Sequence, residues 1–236
     1  MNFQDTQLIG VLARAESTVS SLSSLLGGLV EKFAARGYSL YLVGGSVRDA
    51  LLGRLGNDLD FTTPARPEVV KEILDEWAET VWDTGIDFGT VSAAYKGQQI
   101  EITTFRSDSY DGQSRNPEVV YGDTLEGDLV RRDFKANAMA IELLADASFK
   151  FHDPLHGLQD IADRVLDTPD KPEISFHDDP LRMLRAARFA SQLEFRVADR
   201  VVEAMRDMAG EIQRITVERV QVELDKLICG TAPWDG

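Results

Sequence analysis

The stretch Tyr38–Asp49 (YSLYLVGGSVRD), followed by Asp58–Thr62 (DLDFT), decides the fold of this chain. Its first half is rich in β-forming residues and ends at a Gly-Gly pair, which predicts a strand from Tyr38 to Val43 and a tight turn. A short helix is expected from Ser46 to Leu52. The second segment alternates polar and apolar residues, so we expect another strand that presents its polar side chains on one face.

The same stretch has the composition of a phosphate and metal site. Gly44 and Gly45 let the backbone approach an anion, and the N–H groups of the following helix start point at it. Asp58 and Asp60, at i and i+2 on a strand, offer hard oxygen ligands that suit Mg²⁺. Such a pair serves two-metal phosphoryl transfer. Each half alone has a simpler interpretation, a turn or a solvated strand face, but their close pairing favours the functional one.

The rest of the chain predicts an α+β fold with a mixed five-stranded sheet backed by helices, followed by an all-helical part. Up to residue 127 the expected elements are a helical region at residues 7–36 (one helix, or two around Ser20 to Ser24), a helix from Pro67 to about Ala78, strands Thr90–Tyr95 and Gln99–Arg106 around a Lys96-Gly97 turn, and a long loop at residues 107–127. Beyond it they are a helix Leu129–Ile141, a strand Phe149–His152, a helical turn Leu158–Ala162, a short piece Arg164–Leu166, and helices Asp179–Leu193, Ala198–Met208 and Val217–Ile228.

Glu101 is a candidate third carboxylate. It lies on the predicted strand Gln99–Arg106, which could pair beside Asp58–Thr62. The alternative is an ordinary exposed strand residue.

Two further clusters combine acids with arginines. In RRDFKANAMA, Asp133 and Asn137 would share one face of a helix at i and i+4, where they could bind ribose and phosphates; the alternative is a helix cap. In DDPLRMLRAARFA, Asp179 and Arg182 lie one turn apart and could match the edge of a base. A plain Asp178–Arg182 ion pair is the simpler alternative, and spacing alone favours it.

Composition restricts the class of protein. The 236 residues include 40 acidic and 25 basic ones, a net charge of −15, which is unusual for a nucleic-acid-binding surface. The longest apolar runs are too short for a membrane span, and no signal peptide is recognisable at the start. The single cysteine, Cys229, fits a reducing cytoplasm and is expected to be a small apolar group near a helix end. We therefore expect a cytoplasmic protein without a membrane partner.

The motifs together resemble the class II tRNA nucleotidyltransferases, the CCA-adding enzymes, and the related bacterial poly(A) polymerases. The matching segments run in family order from about residue 40 to 228: LVGGSVRDALLGR with DLDFTT, TGIDFGTVSA, EITTFRSDSY, RRDFKANAMAI, DPLHGLQDI, DDPLRMLRAARFA and TVERVQVELDKLI. The resemblance implies a polymerase-β-like nucleotidyltransferase head followed by a helical neck. It implies addition of C and A, from CTP and ATP, to the 3′ end of tRNA, with Mg²⁺ as cofactor and no DNA partner.

The resemblance also implies roles for individual residues. Asp58 and Asp60 would bind catalytic Mg²⁺ beside Glu101, and Asp179 and Arg182 would read the base. The remaining expected nucleotide-binding residues are Gly44, Gly45, Arg48, Arg132, Asp133, Asn137, Arg185 and Arg188. The segment near 107–127 resembles the flexible element linked to the switch from C to A addition.

The chain also departs from the family pattern. Lys135-Ala136 stands where Thr-Ile is usual, which we expect to alter packing only, and Asp178 replaces a usual Glu. The expected division is an N-terminal helical extension (1–24), a catalytic head (25–170) and a base-reading neck (171–236). Family members continue beyond a position like Gly236, so we expect this portion to bind CTP and ATP but to hold tRNA weakly.

Several functions stay open at this point. The same head serves CCA-adding, CC-adding, A-adding and poly(A)-adding enzymes. A nucleotide-binding fragment with little activity is an alternative, and so is a small-molecule nucleotidyltransferase, although DDPLRMLRAARF is not expected in the latter. The sequence leaves the oligomeric state open.

Overall fold

The computed structural model describes residues 3–108 and 119–236. Internal contacts divide the chain into two units. The sheet unit comprises Met1–Arg131 and Asn137–Pro154, and the helical unit comprises Arg132–Ala136 and Leu155–Gly236. The chain therefore contributes to the helical unit twice, first through the short segment that contains Asp133.

A seven-stranded mixed sheet forms the centre of the sheet unit. Its strands are β1 (Leu40–Val43), β2 (Asp58–Thr63), β3 (Thr80–Trp82), β4 (Thr90–Tyr95), β5 (Gln98–Thr104), β8 (Ala140–Leu143) and β9 (Phe149–His152). They are arranged in the order β3-β4-β5-β2-β1-β8-β9. Strands β2 and β5 are parallel, and the other neighbours are antiparallel.

The α+β fold is confirmed, but the expected count of five strands was wrong. Strand β3 was missed because it is only three residues long, too short for a periodic pattern to be visible. Strand β8 was assigned to the end of a helix. All four of its residues are buried or half-buried, so it lacks the alternation that would have separated it from a buried helical segment.

Helices α2 (Gly44–Leu51) and α3 (Pro67–Asp75) pack on one face of the sheet, and α1 (Phe3–Ala35) packs against both of these helices. Helix α1 is continuous through the serine-rich stretch, because its buried stripe of Val19, Leu22 and Leu26 runs straight across it. Gly37, at φ +79°, follows the end of the helix. The opposite face of the sheet carries the candidate carboxylates.

The predicted β4–β5 hairpin is confirmed. Lys96 and Gly97 both have positive φ, 47° and 77°, as a two-residue type I′ turn requires. The hairpin places Glu101 opposite Ser92 on β4. Strand β5 then pairs with β2 on its other side, so the pairing expected for Glu101 is present.

The long loop expected at residues 107–127 was only partly right. Two short strands, β6 (Arg106–Asp108) and β7 (Val119–Tyr121), pair antiparallel, and helix α4 (Leu125–Val130) begins inside the same range. Thr124 caps α4 by accepting a hydrogen bond from the Gly127 N–H. Residues 109–118 lie outside the described residues.

The helix expected from Leu129 to Ile141 was also wrong. Helix α4 ends at Val130, a 3-10 turn occupies Lys135–Asn137, and β8 begins at Ala140. Phe134, Ala138 and Met139 are fully buried, which imitates the apolar spacing of a helix in the sequence. The assumption that Asp133 and Asn137 share a helical face therefore fails.

The helical unit contains five α-helices and two short strands within the described residues. They are α5 (Gly157–Asp163), β10 (Val165–Leu166), α6 (Pro172–Asp178), α7 (Leu181–Leu193), β11 (Arg196–Val197), α8 (Asp199–Asp207) and α9 (Val217–Ile228). Strands β10 and β11 pair in parallel, so the expected all-helical part includes one short strand. A core of Phe176, Met183, Val201 and Ala204 joins α6, α7 and α8.

The helices predicted near the C-terminal end are confirmed with small shifts. Helix α9 has the predicted bounds, and α7 begins at Leu181 instead of Asp179. Helix α6 was not predicted, although Pro172 is a suitable first residue. Within residues 3–108 and 119–236, no helix combines the length and the apolar character needed to cross a bilayer.

Candidate active site

Three carboxylates lie on the open face of the seven-stranded sheet. Asp58 and Asp60 alternate along β2 with the buried Leu59 and Phe61, so both project away from the helices. Glu101 is the partner of Asp60 in the parallel β2–β5 register. The three acids are exposed and share one face, which strand alternation predicted for Asp58 and Asp60.

Ser46 fixes the start of α2 against β2. Its hydroxyl oxygen accepts a hydrogen bond from the Asp60 N–H at 2.9 Å and lies 3.4 Å from the Asp58 carbonyl oxygen, to which it donates. Sequence reasoning assigned no role to Ser46. The signal was a small polar residue directly after the Gly-Gly pair, at the point where the helix meets the acidic strand.

The two glycines at the start of α2 are there for different reasons. Gly44 has φ +66°, a backbone conformation that residues other than glycine rarely adopt. A Cβ on Gly45 would lie 3.4 Å from Nη2 of Arg48, so the arginine packs directly over it. The helix therefore begins with backbone that an anion can approach closely, beside the Asp58–Asp60 pair.

Arg48 is buried, and its guanidinium group forms hydrogen bonds within the sheet unit. Its Nη1 donates to Oδ1 of Asn137 at 2.7 Å, and its Nε and Nη2 donate to the carboxylate of Asp49 at 3.0 and 2.9 Å. Arg54 also donates to that carboxylate. These bonds tie α2 to the 3-10 turn that contains Asn137, so Arg48 and Asn137 are brought together as expected site residues.

The donor chemistry of this face fits Mg²⁺. Asp58, Asp60 and Glu101 supply only oxygen ligands, and Mg²⁺ usually takes one or two carboxylates while water and substrate phosphates complete its octahedron. Among the residues that the structure describes, no three or more acids, histidines or cysteines are grouped closely enough to hold a metal ion by themselves. An Mg²⁺ ion held by these carboxylates would therefore take water or phosphate oxygens as its remaining ligands.

Asp133 is held by Arg185 within the helical unit. Arg185 donates from Nε and Nη2 to Oδ2 of Asp133, at 2.8 and 2.5 Å, and Oδ1 accepts the Phe134 N–H. Burial by itself lowers the pKa of the Arg185 guanidinium, but the charge and hydrogen bonds of Asp133 outweigh it, and the net shift of that pKa is upward. Arg132, which precedes Asp133 in the chain, is half-buried.

A second buried acid, Glu223, joins the same charge network. Its carboxylate lies 3.2 Å from Nε of Arg188 and 3.8 Å from Nη1 of Arg185. Arg188 also lies over the Phe189 ring, at 4.1 Å from its centroid. Sequence reasoning missed Glu223; the available signal was an acid at an inward position of α9, between Val220 and Leu227.

Asp179 and Arg182 lie at the junction of α6 and α7. Asp179 accepts the Leu181 N–H at 3.1 Å and a hydrogen bond from Nη2 of Arg219 at 3.0 Å. Arg182 donates from Nη1 to Ser175 at 2.9 Å. Helix α6 ends at Asp178 and α7 begins at Leu181, so the helical i, i+4 spacing assumed for an Asp178–Arg182 pair does not apply.

The expected site residues therefore fall into two separate sets. The sheet unit contains Gly44, Gly45, Arg48, Asp58, Asp60, Glu101 and Asn137, and the helical unit contains Arg132, Asp133, Asp179, Arg182, Arg185 and Arg188. Asp133 and Asn137 belong to different sets, and each binds a different arginine. Cys229 lies at the end of α9 as expected, but it is exposed.

Comparison with known proteins gives two family matches. Residues 40–167 match the Poly A polymerase head domain, and residues 194–236 match the probable RNA and SrmB-binding site of polymerase A. The first match covers more than half of the 236 residues and contains every expected site residue of the sheet unit. The second covers β11, α8 and α9.

Curated relatives and solved structures agree with these matches. A CCA-adding enzyme of Listeria monocytogenes is 40% identical over 205 residues, 86% of this chain and 50% of that protein. The CCA-adding enzyme of Bacillus stearothermophilus, solved with CTP, has a TM-score of 0.76 at 36% identity and covers 88% of this chain and 49% of its own. A tRNA nucleotidyltransferase solved with a primer tRNA and an ATP analogue has a TM-score of 0.69 at 28% identity, covering 89% of this chain and 56% of its own.

The chain spans about half the length of the curated relatives it matches. Their identity to it is well above the level at which only a fold is shared, and the resemblance found in the sequence motifs is confirmed. The chain therefore belongs to the Poly A polymerase head-domain family, together with the CCA-adding enzymes.

Proposed function

We propose that this protein adds C and A, from CTP and ATP, to the 3′ end of tRNA without a nucleic-acid template. The observation that carries the proposal is the carboxylate face, on which Asp58, Asp60 and Glu101 lie beside the glycine-started helix α2. The relatives' CTP, ATP-analogue and primer-tRNA complexes support the choice of substrates.

The phosphate chemistry is assigned to the sheet unit. Asp58 and Asp60 would hold Mg²⁺, which neutralises charge on the triphosphate and activates the attacking hydroxyl when it is bound. The backbone of Gly44 and Gly45 binds the outer phosphates. A bond forms between the RNA 3′ oxygen and the α-phosphorus, the bond to the β-phosphate oxygen breaks, and pyrophosphate leaves. The proton of the attacking hydroxyl passes to a carboxylate, and the acceptor proposed for it is Glu101, the register partner of Asp60.

Choice of base is assigned to Asp179 and Arg182 in the helical unit. Cytosine and adenine both present an exocyclic amino donor next to a ring-nitrogen acceptor. A carboxylate accepts from the first, and an arginine donates to the second. Guanine and uracil present a carbonyl oxygen and a ring N–H at the corresponding positions, so they would face like groups. The contacts of Asp179 with Arg219 and of Arg182 with Ser175 limit the freedom of both side chains.

Ribose and phosphate contacts are assigned to Arg132, Asp133 and Asn137, with support from Arg48, Arg185 and Arg188. Arg185 contacts Asp133, and Arg188 contacts Glu223. We therefore propose that both arginines act by holding Asp133 in position. We also propose the division into a catalytic head at 25–170 and a base-reading neck at 171–236. The N-terminal extension is residues 1–24.

Polyadenylation is the second candidate, because the head-domain match is described as that of a poly A polymerase. One experiment separates the two. The chain is incubated with tRNA lacking its 3′ CCA, with Mg²⁺ and each nucleoside triphosphate alone or combined, and the products are sequenced. CCA addition ends after one A, whereas polyadenylation continues in ATP alone. CC-adding and A-adding variants stop at their own positions.

The Asp60→Ala variant is the matched control for this experiment. Products that appear equally with this variant would not come from the proposed site. Failure of the wild-type chain to incorporate any nucleotide, with CTP binding retained, would replace the proposal by that of a nucleotide-binding fragment.

A further inference from the structure

One transverse row of side chains on the open face of the sheet links the candidate carboxylates to an exposed tryptophan. Asp60 pairs with Glu101, Glu101 pairs with Ser92, and Ser92 pairs with Trp82 of the edge strand β3. Side chains of directly paired residues project from the same face of a sheet. Trp82 therefore lies on the carboxylate face, with 43% of its surface exposed.

The surrounding positions confirm this orientation. Val91, Ala93 and Ile100 alternate with the row along β4 and β5 and are fully buried on the opposite face. Between Glu101 and Trp82 the row contains only Ser92, a small polar residue. The large indole therefore lies at the outer end of this row, and only the small side chain of Ser92 separates it from the carboxylates.

The position of α2 sets the direction from which an acceptor must come. This helix follows β1, which lies on one side of β2, and β5 lies on the other side. If the leaving pyrophosphate is held at the start of α2, as in the proposed function on which this step rests, an in-line attack brings the 3′ hydroxyl from the β5 side. The acceptor strand then crosses β5 and β4 toward β3.

We propose that Trp82 is a stacking site for a base of the acceptor RNA, within the last four nucleotides of its 3′ end. Three strand spacings of ~4.8 Å separate β2 from β3, about 14 Å. Stacked bases advance ~3.4 Å each, so that span corresponds to about four of them. An aromatic side chain stacks on any base. This suits an enzyme whose RNA substrate has a different 3′-terminal base after each added nucleotide.

The charge of the row favours stacking over phosphate binding. Asp60 and Glu101 repel a backbone, and Asp83 follows Trp82 directly in a chain with a net charge of −15. Base stacking supplies affinity without a basic groove and tolerates every sequence. Trp82 would therefore bind the acceptor RNA by stacking, at a place where the acidic side chains do not attract its phosphates.

Steady-state kinetics with an acceptor-stem RNA hairpin test the proposal. Trp82→Ala should raise the KM for RNA by at least about five-fold, with an unchanged KM for CTP and an unchanged kcat at saturating RNA. Trp82→Phe should recover most of the loss, because it keeps an aromatic face. Phe88, another exposed aromatic of the sheet unit that lies outside its strands, supplies the control Phe88→Ala. An equal rise of the KM in that control, or no rise in Trp82→Ala, would overturn the proposal.

Fluorescence gives a second measurement that does not need turnover. In the Trp77→Phe, Trp234→Phe double variant, Trp82 is the remaining tryptophan of the chain. Titration with the hairpin should quench its emission, and one abasic nucleotide among the last four should remove the quenching. Quenching without incorporation would leave the stacking site standing and refute the proposed function. Incorporation without quenching would refute the stacking site and leave the proposed function standing.

Discussion

Lys135 donates from Nζ to Oδ2 of Asp167 at 2.7 Å, and the Lys135 N–H donates to the Asp167 carbonyl oxygen at 2.9 Å. Arg200 donates from Nε to the other carboxylate oxygen, also at 2.7 Å. Lys135 is therefore more than the packing change expected from its departure from the family pattern. It fastens the segment that contains Asp133 to Asp167, the residue that directly follows β10.

The Asp167 carboxylate should make stability of the helical unit depend on pH. Burial raises its pKa, but hydrogen bonds from Arg200 and Lys135 and their charges outweigh burial, so the pKa of Asp167 lies below the ordinary 3.8. The unfolded chain then takes up the proton first as pH falls. The contribution to stability is present above the unfolded pKa and is lost as pH falls through the folded one.

Asp167→Asn should accordingly lower the free energy of unfolding by about 1–2 kcal/mol at pH 6. The difference from wild type should shrink once pH falls below 3.8, because the unfolded wild-type chain then takes up a proton that the folded one does not. Urea denaturation at pH 6, 4.5 and 3 measures it. A difference that stays constant over this range would show that charge on Asp167 does not stabilise the fold.

Removal of Arg185 should destabilise the helical unit because it leaves Asp133 without its bidentate donor. Asp133 is 8% exposed, so we expect Arg185→Ala to cost about 2–4 kcal/mol in the free energy of unfolding. The solvent-exposed pair Lys71–Asp75 supplies the control, since water screens it and Lys71→Ala should leave the free energy of unfolding nearly unchanged. Urea denaturation measures the free energy of unfolding of both variants. Equal losses would show that the Asp133–Arg185 pair does not stabilise the helical unit more than an exposed pair does.

Metal dependence should reside in the Asp58–Asp60 pair. Asp60→Ala should abolish nucleotide incorporation and leave the unfolding midpoint nearly unchanged, since the side chain is exposed on the open face. Excess chelator should stop the wild-type reaction, and added Mg²⁺ should restore it. Asp75→Ala, an exposed acid on α3, is the matched control and should keep full activity. Incorporation by Asp60→Ala would refute the metal assignment.

Ser46→Ala tests whether the hydroxyl positions the two carboxylates. It removes the acceptor of the Asp60 N–H and the donor to the Asp58 carbonyl, so we expect a loss of about 1 kcal/mol in stability. We also expect a lower kcat with little change in the KM for CTP, because the metal ligands shift while the helix start remains. Ser148→Ala, in an exposed turn, should leave kcat unchanged. A wild-type kcat in Ser46→Ala would assign the serine to stability alone.

The part of the site that sequence could predict is the part built from local pattern. Alternation along β2 placed Asp58 and Asp60 on one face, and the Lys96-Gly97 turn paired β5 with β4. These two features depend on residues close in sequence, whose geometry follows from strand periodicity and turn chemistry. The pairing of β5 with β2, which brings Glu101 beside Asp60, joins distant segments, and the sequence offered it only as one possibility. Helix α9 was likewise predicted with its bounds, because its apolar spacing is regular.

What sequence could not predict depends on partners far apart in the chain. Arg48 was assigned to phosphate, and only the fold shows that Asn137, 89 residues away, accepts from it. Glu223 finds Arg188 across 35 residues in the same way. The segment between α4 and β8 imitates a helix because its buried residues belong to two different units, a distinction that a single periodic pattern cannot carry.

Base choice is the most specific consequence of the proposed site, and Arg182 is the residue whose removal tests it. Arg182→Ala removes the donor expected to meet the ring nitrogen of cytosine and adenine, and it should leave the phosphate-binding start of α2 intact. We expect the kcat/KM for UTP relative to CTP to rise by at least about ten-fold, while the KM for CTP changes less.

Arg206→Ala, at an exposed position of α8, is the control for loss of positive charge and should keep wild-type selectivity. Because Arg182 also donates to Ser175, the unfolding midpoint of the variant is measured alongside the kinetics. A folded Arg182→Ala protein with unchanged selectivity among the four nucleoside triphosphates would remove base reading from this residue. The donor would then have to be sought elsewhere in the helical unit, with Arg219, which already contacts Asp179, as the next residue to substitute.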